Sequence, residues 1–110
     1  MTVEELAKVT GWKLIATEEA KAKEVKGAFC GDLLSWVMGN SHPDQVWLTV
    51  QSHLTVVAVA VLREFSGIVF VQGVNPPQET IDKALEEDLA ILQTDLTAYE
   101  ACTRLYDLGI

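Results

Sequence analysis

Basic residues are scarce in this sequence, and their shortage limits what the chain can bind. Eight lysines and arginines stand against 16 aspartates and glutamates, so the formal net charge is −8. Nucleic acids are bound by several lysines or arginines placed against phosphates, and anionic membrane surfaces attract the same residues. We therefore expect neither a nucleic acid nor a membrane as a partner. A net negative charge keeps a protein soluble, and this is sufficient to explain the excess of acidic residues.

Cysteines and long apolar runs are rare as well. Cys30 and Cys102 are far apart in the sequence and lack the spacing of a disulfide framework or a metal site. Polar residues interrupt the longest apolar stretch, residues 46–62, so it does not resemble a membrane span. Met1 begins an amphipathic segment rather than a signal peptide. We expect a cytoplasmic protein with reduced, structural cysteines and with no metal or other cofactor.

Catalytic motifs are also missing. The sequence contains no GxxxxGK[ST] loop, and His42 and His53 have no further ligand at metal-binding spacing. Cys30, Asp32 and His53 would form a thiol–imidazole–carboxylate set only if the fold brought them together. We therefore predict no catalytic residue. A small enzyme that uses the Cys30 and His53 region remains the third alternative for function.

What the sequence does contain is an alternation of strand and helix signals across one domain, residues 1–110. Thr2 and Thr97 each begin a capping box, with a glutamate three residues later. Strands are predicted at residues 12–16, 25–30, 45–50, 67–72 and 90–93, with helices after Thr2, at 33–38, at 54–62, after 75–77 and after Thr97. This order predicts an α/β fold with a mainly parallel sheet, right-handed crossovers and flanking helices.

The segment at residues 54–62 is ambiguous because its valines favour a strand, whereas its length and its alanines suit a buried helix. We predict a helix, because strand signals lie directly before and after it. Such a helix has almost no polar stripe, so its outer side must be covered by the chain itself or by a second copy. For a homodimer, the predicted interface residues are Trp36, Leu54, Val57, Val59 and Val61.

Several short segments of the sequence together match a known pattern. They are residues 67–73, 75–77, 90–94, 97–100 and 105–106, and, earlier in the chain, 31–35 and 47–53. In these segments the chain resembles the DRTGG domain and the related N-terminal domain of bacterial HPr kinase/phosphorylase. The resemblance implies the fold of that N-terminal domain and a regulatory, accessory role in a bacterial protein. It implies no activity.

The chain departs from the family pattern in two places. The Asp-Arg pair of the family name would fall at Gln51, Ser52 and His53, where it is missing. Of the Thr-Gly-Gly element only Gly73 is present, and Gln72 precedes it. The three residues that replace the Asp-Arg pair can form hydrogen bonds but supply no fixed charge.

Three loops are predicted to meet at the carboxyl ends of the parallel strands, where open α/β sheets bind ligands. Their glycines would let a ligand approach the backbone, and the helices that follow two of them would offer free amides to an anion. The candidate ligand-binding residues are Gly31, Asp32, Thr49, Gln51, Ser52, His53, Gly73 and Asn75. The alternative is that these are ordinary turn residues, with Ser52 and Asn75 as helix caps.

Together these observations predict a non-catalytic regulatory or scaffolding module that forms a homodimer and senses a small anionic ligand or a nucleotide. The alternative is an accessory subunit of a metabolic enzyme or signalling complex that binds a protein partner and no ligand. A preserved crevice favours the first interpretation, and a large exposed apolar face without a crevice favours the second.

Overall fold

Five strands and six helices alternate along the chain in a computed structural model that describes residues 1–110. The helices are α1 (Val3–Thr10), α2 (Glu18–Lys21), α3 (Leu34–Asn40), α4 (Thr55–Leu62), α5 (Gln78–Glu86) and α6 (Ala98–Asp107). The strands are β1 (Lys13–Ile15), β2 (Gly27–Cys30), β3 (Gln45–Thr49), β4 (Gly67–Phe70) and β5 (Ala90–Gln93). The predicted α/β architecture is confirmed.

The strands form one sheet in the order β1-β5-β4-β3-β2. Strands β2 to β5 are parallel to their neighbours, as the alternation of strands and helices predicts. Strand β1 is the exception, because it pairs with β5 in the antiparallel direction and places Lys13 opposite Gln93. The beginning of β1 therefore lies at the same edge of the sheet as the carboxyl end of β5.

Side chains of the central strands supply both hydrophobic cores. On one face, Val46 and Leu48 pack with residues of α1, α2 and α6. On the other face, Trp47 packs with residues of α3, α4 and α5. Successive side chains of a strand point to opposite faces, and here both faces are covered by helices. Nearly every position of β3 and β4 is therefore apolar.

Helix α4 confirms the prediction that residues 54–62 are helical rather than extended. It lies between β3 and β4, which are parallel neighbours and therefore need a crossover connection. Ser52 does not cap it, since the helix begins after Leu54 without a side-chain cap. Asn75 is likewise not a cap, because α5 begins after Pro77. No helix of the chain has the length and apolar character needed to cross a membrane.

Both predicted capping boxes are present. The hydroxyl of Thr2 accepts from the Glu5 N–H at 3.2 Å, and the Glu5 carboxylate accepts from the Thr2 N–H at 2.9 Å. Thr97 and Glu100 repeat the arrangement with distances of 3.2 and 3.0 Å. The hydrogen bonds from the backbone and then the side chain of the capping threonine lower the pKa of each glutamate below its ordinary value of 4.5.

The lowered pKa values predict a loss of stability in acid. Since each carboxylate is favoured in the folded state, the stability that it adds is complete above pH 4.5 and is lost as the pH falls through the folded pKa. In the double variant Glu5→Gln and Glu100→Gln, the glutamine side-chain oxygens can still accept from the threonine N–H groups, but they do not titrate. We expect the Tm of this variant to fall less on acidification than the Tm of the wild type. Thermal unfolding followed by circular dichroism checks this, with Glu86→Gln as the control. An acid dependence of Tm identical to that of the wild type would contradict it.

Candidate functional site

The loops that follow β2 and β3 are joined through Asp32. Its carboxylate accepts from the Thr49 hydroxyl at 2.7 Å and from the Val50 N–H at 2.9 Å. The side-chain amide of Gln51 donates to the Asp32 carbonyl at 3.2 Å, and the Gln51 N–H donates to the Thr49 hydroxyl at 3.1 Å. These polar groups are therefore paired with one another, which makes Asp32 a connector of two loops.

Three predicted residues of these two loops remain. Gly31 and Ser52 have hydrogen-bond partners within the chain, and the His53 side chain has none. The Gly31 carbonyl accepts from the Trp47 indole N–H at 2.8 Å. The Ser52 carbonyl accepts from the Thr80 hydroxyl at 2.9 Å, which ties the loop to α5. His53 is exposed.

The third predicted loop, between β4 and α5, is hydrogen-bonded to the loop between β5 and α6. The N–H of Gln72 donates to the Leu96 carbonyl at 2.8 Å, and the N–H of Gly73 donates to the Thr94 carbonyl at 3.0 Å. Gln72 and Gly73 both have positive φ values, of 59° and 71°, so the backbone makes a left-handed turn here. The eight predicted ligand residues therefore fall into two groups, with Gly73 and Asn75 apart from the others.

A cleft of about 540 Å³ opens beside Gly73 and Asn75, at the edge of the sheet where β5 ends and β1 begins. Its size is that of a small-molecule site. Three segments form its walls: the turn between α1 and β1, the β4–α5 loop and the β5–α6 loop. The lining residues are Thr10, Gly11, Trp12, Lys13, Gly73, Val74, Asn75, Gln93, Thr94, Asp95 and Leu96.

Residues from opposite ends of the chain meet in this cleft, and the sequence reasoning missed most of them. The Gln93 side-chain amide donates to the Asn75 side-chain oxygen at 3.2 Å and to the Val74 carbonyl at 3.4 Å, which fixes the β4–α5 loop against β5. Lys13 reaches the site only because β1 pairs with β5. No spacing along the chain indicates that pairing.

Cys30 lies next to Cys102 rather than next to a histidine. The two cysteines are unbonded to each other, and Cys30 is the more exposed residue. The pKa of Cys30 is raised to about 11, mainly by partial burial of the thiol and then by the adjacent Cys102 thiol and Asp32 carboxylate. A catalytic thiol needs a lowered pKa, so this environment is the opposite of an activated nucleophile.

Exposed apolar side chains are concentrated on two neighbouring helices. We call this surface the α3–α4 face, and its residues are Leu33, Trp36, Leu54, Ala58, Val61 and Leu62. Trp36 is 61% exposed and Leu62 is 66% exposed. Val57 and Val59, which the sequence placed at an interface, are only 0% and 9% exposed and belong to the core. In a helix that is apolar on all sides, the sequence could not show which side faces inward.

The raised pKa of Cys30 predicts slow alkylation. A rise from 9.0 to about 11 reduces the thiolate fraction about a hundredfold near neutral pH, and the greater nucleophilicity of a more basic thiolate recovers about tenfold. We expect iodoacetamide to modify Cys30 about tenfold more slowly in the folded protein than in urea, as measured by peptide mass spectrometry. Cys102→Ser should accelerate the reaction only in part, because burial is the larger cause. Equal rates in the folded and unfolded protein would contradict this account.

Comparison with known proteins supports the fold. No protein-family model matches the sequence, and no curated protein matches it. A solved structure with a similar fold contains the CBS and DRTGG domains of the regulatory region of Clostridium perfringens pyrophosphatase, complexed with the activator diadenosine tetraphosphate. The TM-score is 0.73 and the sequence identity is 13%, over 94% of this chain and 45% of that chain. This chain thus has a DRTGG-like α/β fold, which is similar to part of a regulatory region.

Proposed function

We propose that this chain is a non-catalytic regulatory or scaffolding module, which forms a homodimer and binds a small ligand bearing an anionic group. The observation that carries the proposal is the likeness in fold to a regulatory region over 94% of the chain. The pyrophosphatase region is described as binding a nucleotide activator, and a ligand-sized cleft in this chain is consistent with a similar kind of role.

The ligand is proposed to bind in the cleft between Lys13, Asn75 and Asp95. Lys13 is the only basic residue that lines it, so it is the counterpart for an anionic group. Gly11 and Gly73, both with positive φ values, keep side chains away from its walls. The proposed site does not include Asp32, Thr49 and Gln51, because the polar groups of these residues form hydrogen bonds within their own two loops.

The homodimer is proposed to form through the α3–α4 face. Neither α3 nor α4 contains a charged residue, whereas the chain as a whole has a net charge of −8. Two copies that meet elsewhere would bring like charges together, and a meeting at this face avoids that repulsion. It would also remove Trp36 and Leu62 from water, and burial of such side chains is the main driving force of association.

A charge placed on the α3–α4 face should separate the dimer. Leu62 is mostly exposed, so Leu62→Glu leaves the core intact while it puts two carboxylates into the proposed contact. Sedimentation velocity at micromolar concentration should show a dimer for the wild type and a monomer for Leu62→Glu, with unchanged circular dichroism.

Tyr99→Glu on α6 is the matched control, because Tyr99 is 82% exposed on the opposite face of the sheet and its variant should remain dimeric. A wild-type protein that is strictly monomeric would contradict the dimer. The exposed apolar face would then favour the second candidate, an accessory subunit that binds a different protein.

A further inference from the structure

The cleft contains one charged side chain of each sign, and neither is neutralised by the chain. Lys13 and Asp95 both line it and both are exposed. The ion pairs of the chain all involve other residues. A surface lysine or aspartate without a partner is common, but here the two share one concave site with the polar side chains of Asn75 and Thr94.

The paired loops place the negative charge of Asp95 beside Gly73. A side chain at Gly73 would place its Cβ 3.1 Å from Asp95 Oδ1, so the carboxylate lies directly beside this glycine. The hydrogen bonds of Gln72 and Gly73 to the β5–α6 loop hold the two loops together. Asp95 is therefore held at the cleft by two loops that are bonded to each other.

The carbonyl end of helix α1, next to the cleft, already has partners within the chain. The Arg104 guanidinium donates to the Val9 carbonyl at 2.8 Å, and the Gly11 N–H donates to the Ala7 carbonyl at 2.9 Å. Asp95 is therefore the group that attracts a positive charge, while Lys13 attracts a negative one. A polyphosphate suits the site poorly, because a single lysine would have to offset several negative charges beside a carboxylate.

Resting on the proposed function, we infer that the cleft binds a zwitterion, a small molecule with an ammonium group and a carboxylate or phosphate group. The anionic group contacts Lys13, and the ammonium group contacts Asp95. This assignment adds a cationic group to the ligand, which the sequence predicted only as a small anionic ligand or a nucleotide.

A series of ω-amino acids tests the inference, because it varies the distance between the two charges. Glycine, β-alanine, 4-aminobutyrate and 6-aminohexanoate are titrated into ¹⁵N-labelled full-length protein, with propionate and propylamine as single-charge controls. We expect at least one amino acid to shift the amide signals of residues 10–13, 73–75 and 93–96. It should bind about tenfold more tightly than either control, since it engages both charges.

Variants of the two charged residues separate their contributions. Lys13→Gln should reduce the affinity for the best amino acid to that for propylamine, and Asp95→Asn should reduce it to that for propionate. Lys83→Gln and Asp107→Asn, which change the same residue types away from the cleft, should leave the affinity unchanged. Both test residues are exposed, so their variants are expected to fold.

The outcomes distinguish this inference from the proposed function. If adenosine monophosphate shifts the cleft signals and no amino acid does, the zwitterion is wrong and the proposal of an anionic ligand in the cleft stands. If no probe shifts those signals, the inference and the ligand part of the proposed function both fail, while the dimer is judged by sedimentation alone. An affinity that is unchanged in Lys13→Gln and Asp95→Asn would also overturn the inference.

Discussion

Burial of β3 and β4 on both faces is the constraint on which the rest of the structure depends. These strands lie inside a parallel sheet, so each must be followed by a crossover helix, and each face must be covered by helices. Gly67 allows β4 and β5 to approach, since a Cβ there would lie 3.1 Å from the Ala90 carbonyl oxygen. Helix α4 covers the central strands with Val56, Val57 and Ala60, which are fully buried.

The same constraint leads to the two features that suggest function. None of the residues 1–110 covers the outer side of the apolar helix α4, which stays exposed, as does Trp36 on the neighbouring α3. At the other side of the sheet, β1 completes the edge by pairing antiparallel to β5, and its beginning closes one wall of the cleft. The proposed dimer contact and the proposed ligand site are thus formed by different helices and loops.

Local signals in the sequence were sufficient for most of the fold. The capping boxes at Thr2 and Thr97 define the helix starts, and the β-branched run before Gln72 identifies a buried strand. The alternation of strands and helices predicts that the strands run mainly parallel and that α4 is a helix. These features depend on residues close together in the chain, which is why they could be predicted.

The site was less predictable because it depends on long-range pairing. Nothing near Lys13 indicates that β1 lies beside β5. Five polar residues of the cleft were therefore not anticipated: Thr10, Lys13, Gln93, Thr94 and Asp95. The proximity of Cys30 to Cys102 likewise depends on where α6 packs on the sheet. Asp32 was recognised as important, but its role as a hydrogen-bond acceptor between loops is a property of the folded chain.

The proposed homodimer requires that a second copy of the chain cover the α3–α4 face. Hydrogen–deuterium exchange, measured by mass spectrometry on the wild-type protein across a range of concentrations, tests it most directly. The account predicts that peptides of α3 and α4 exchange more slowly as the concentration rises, while peptides of α6 do not change. Exchange in α3 and α4 that is independent of concentration, or protection that appears on α6 instead, would contradict it.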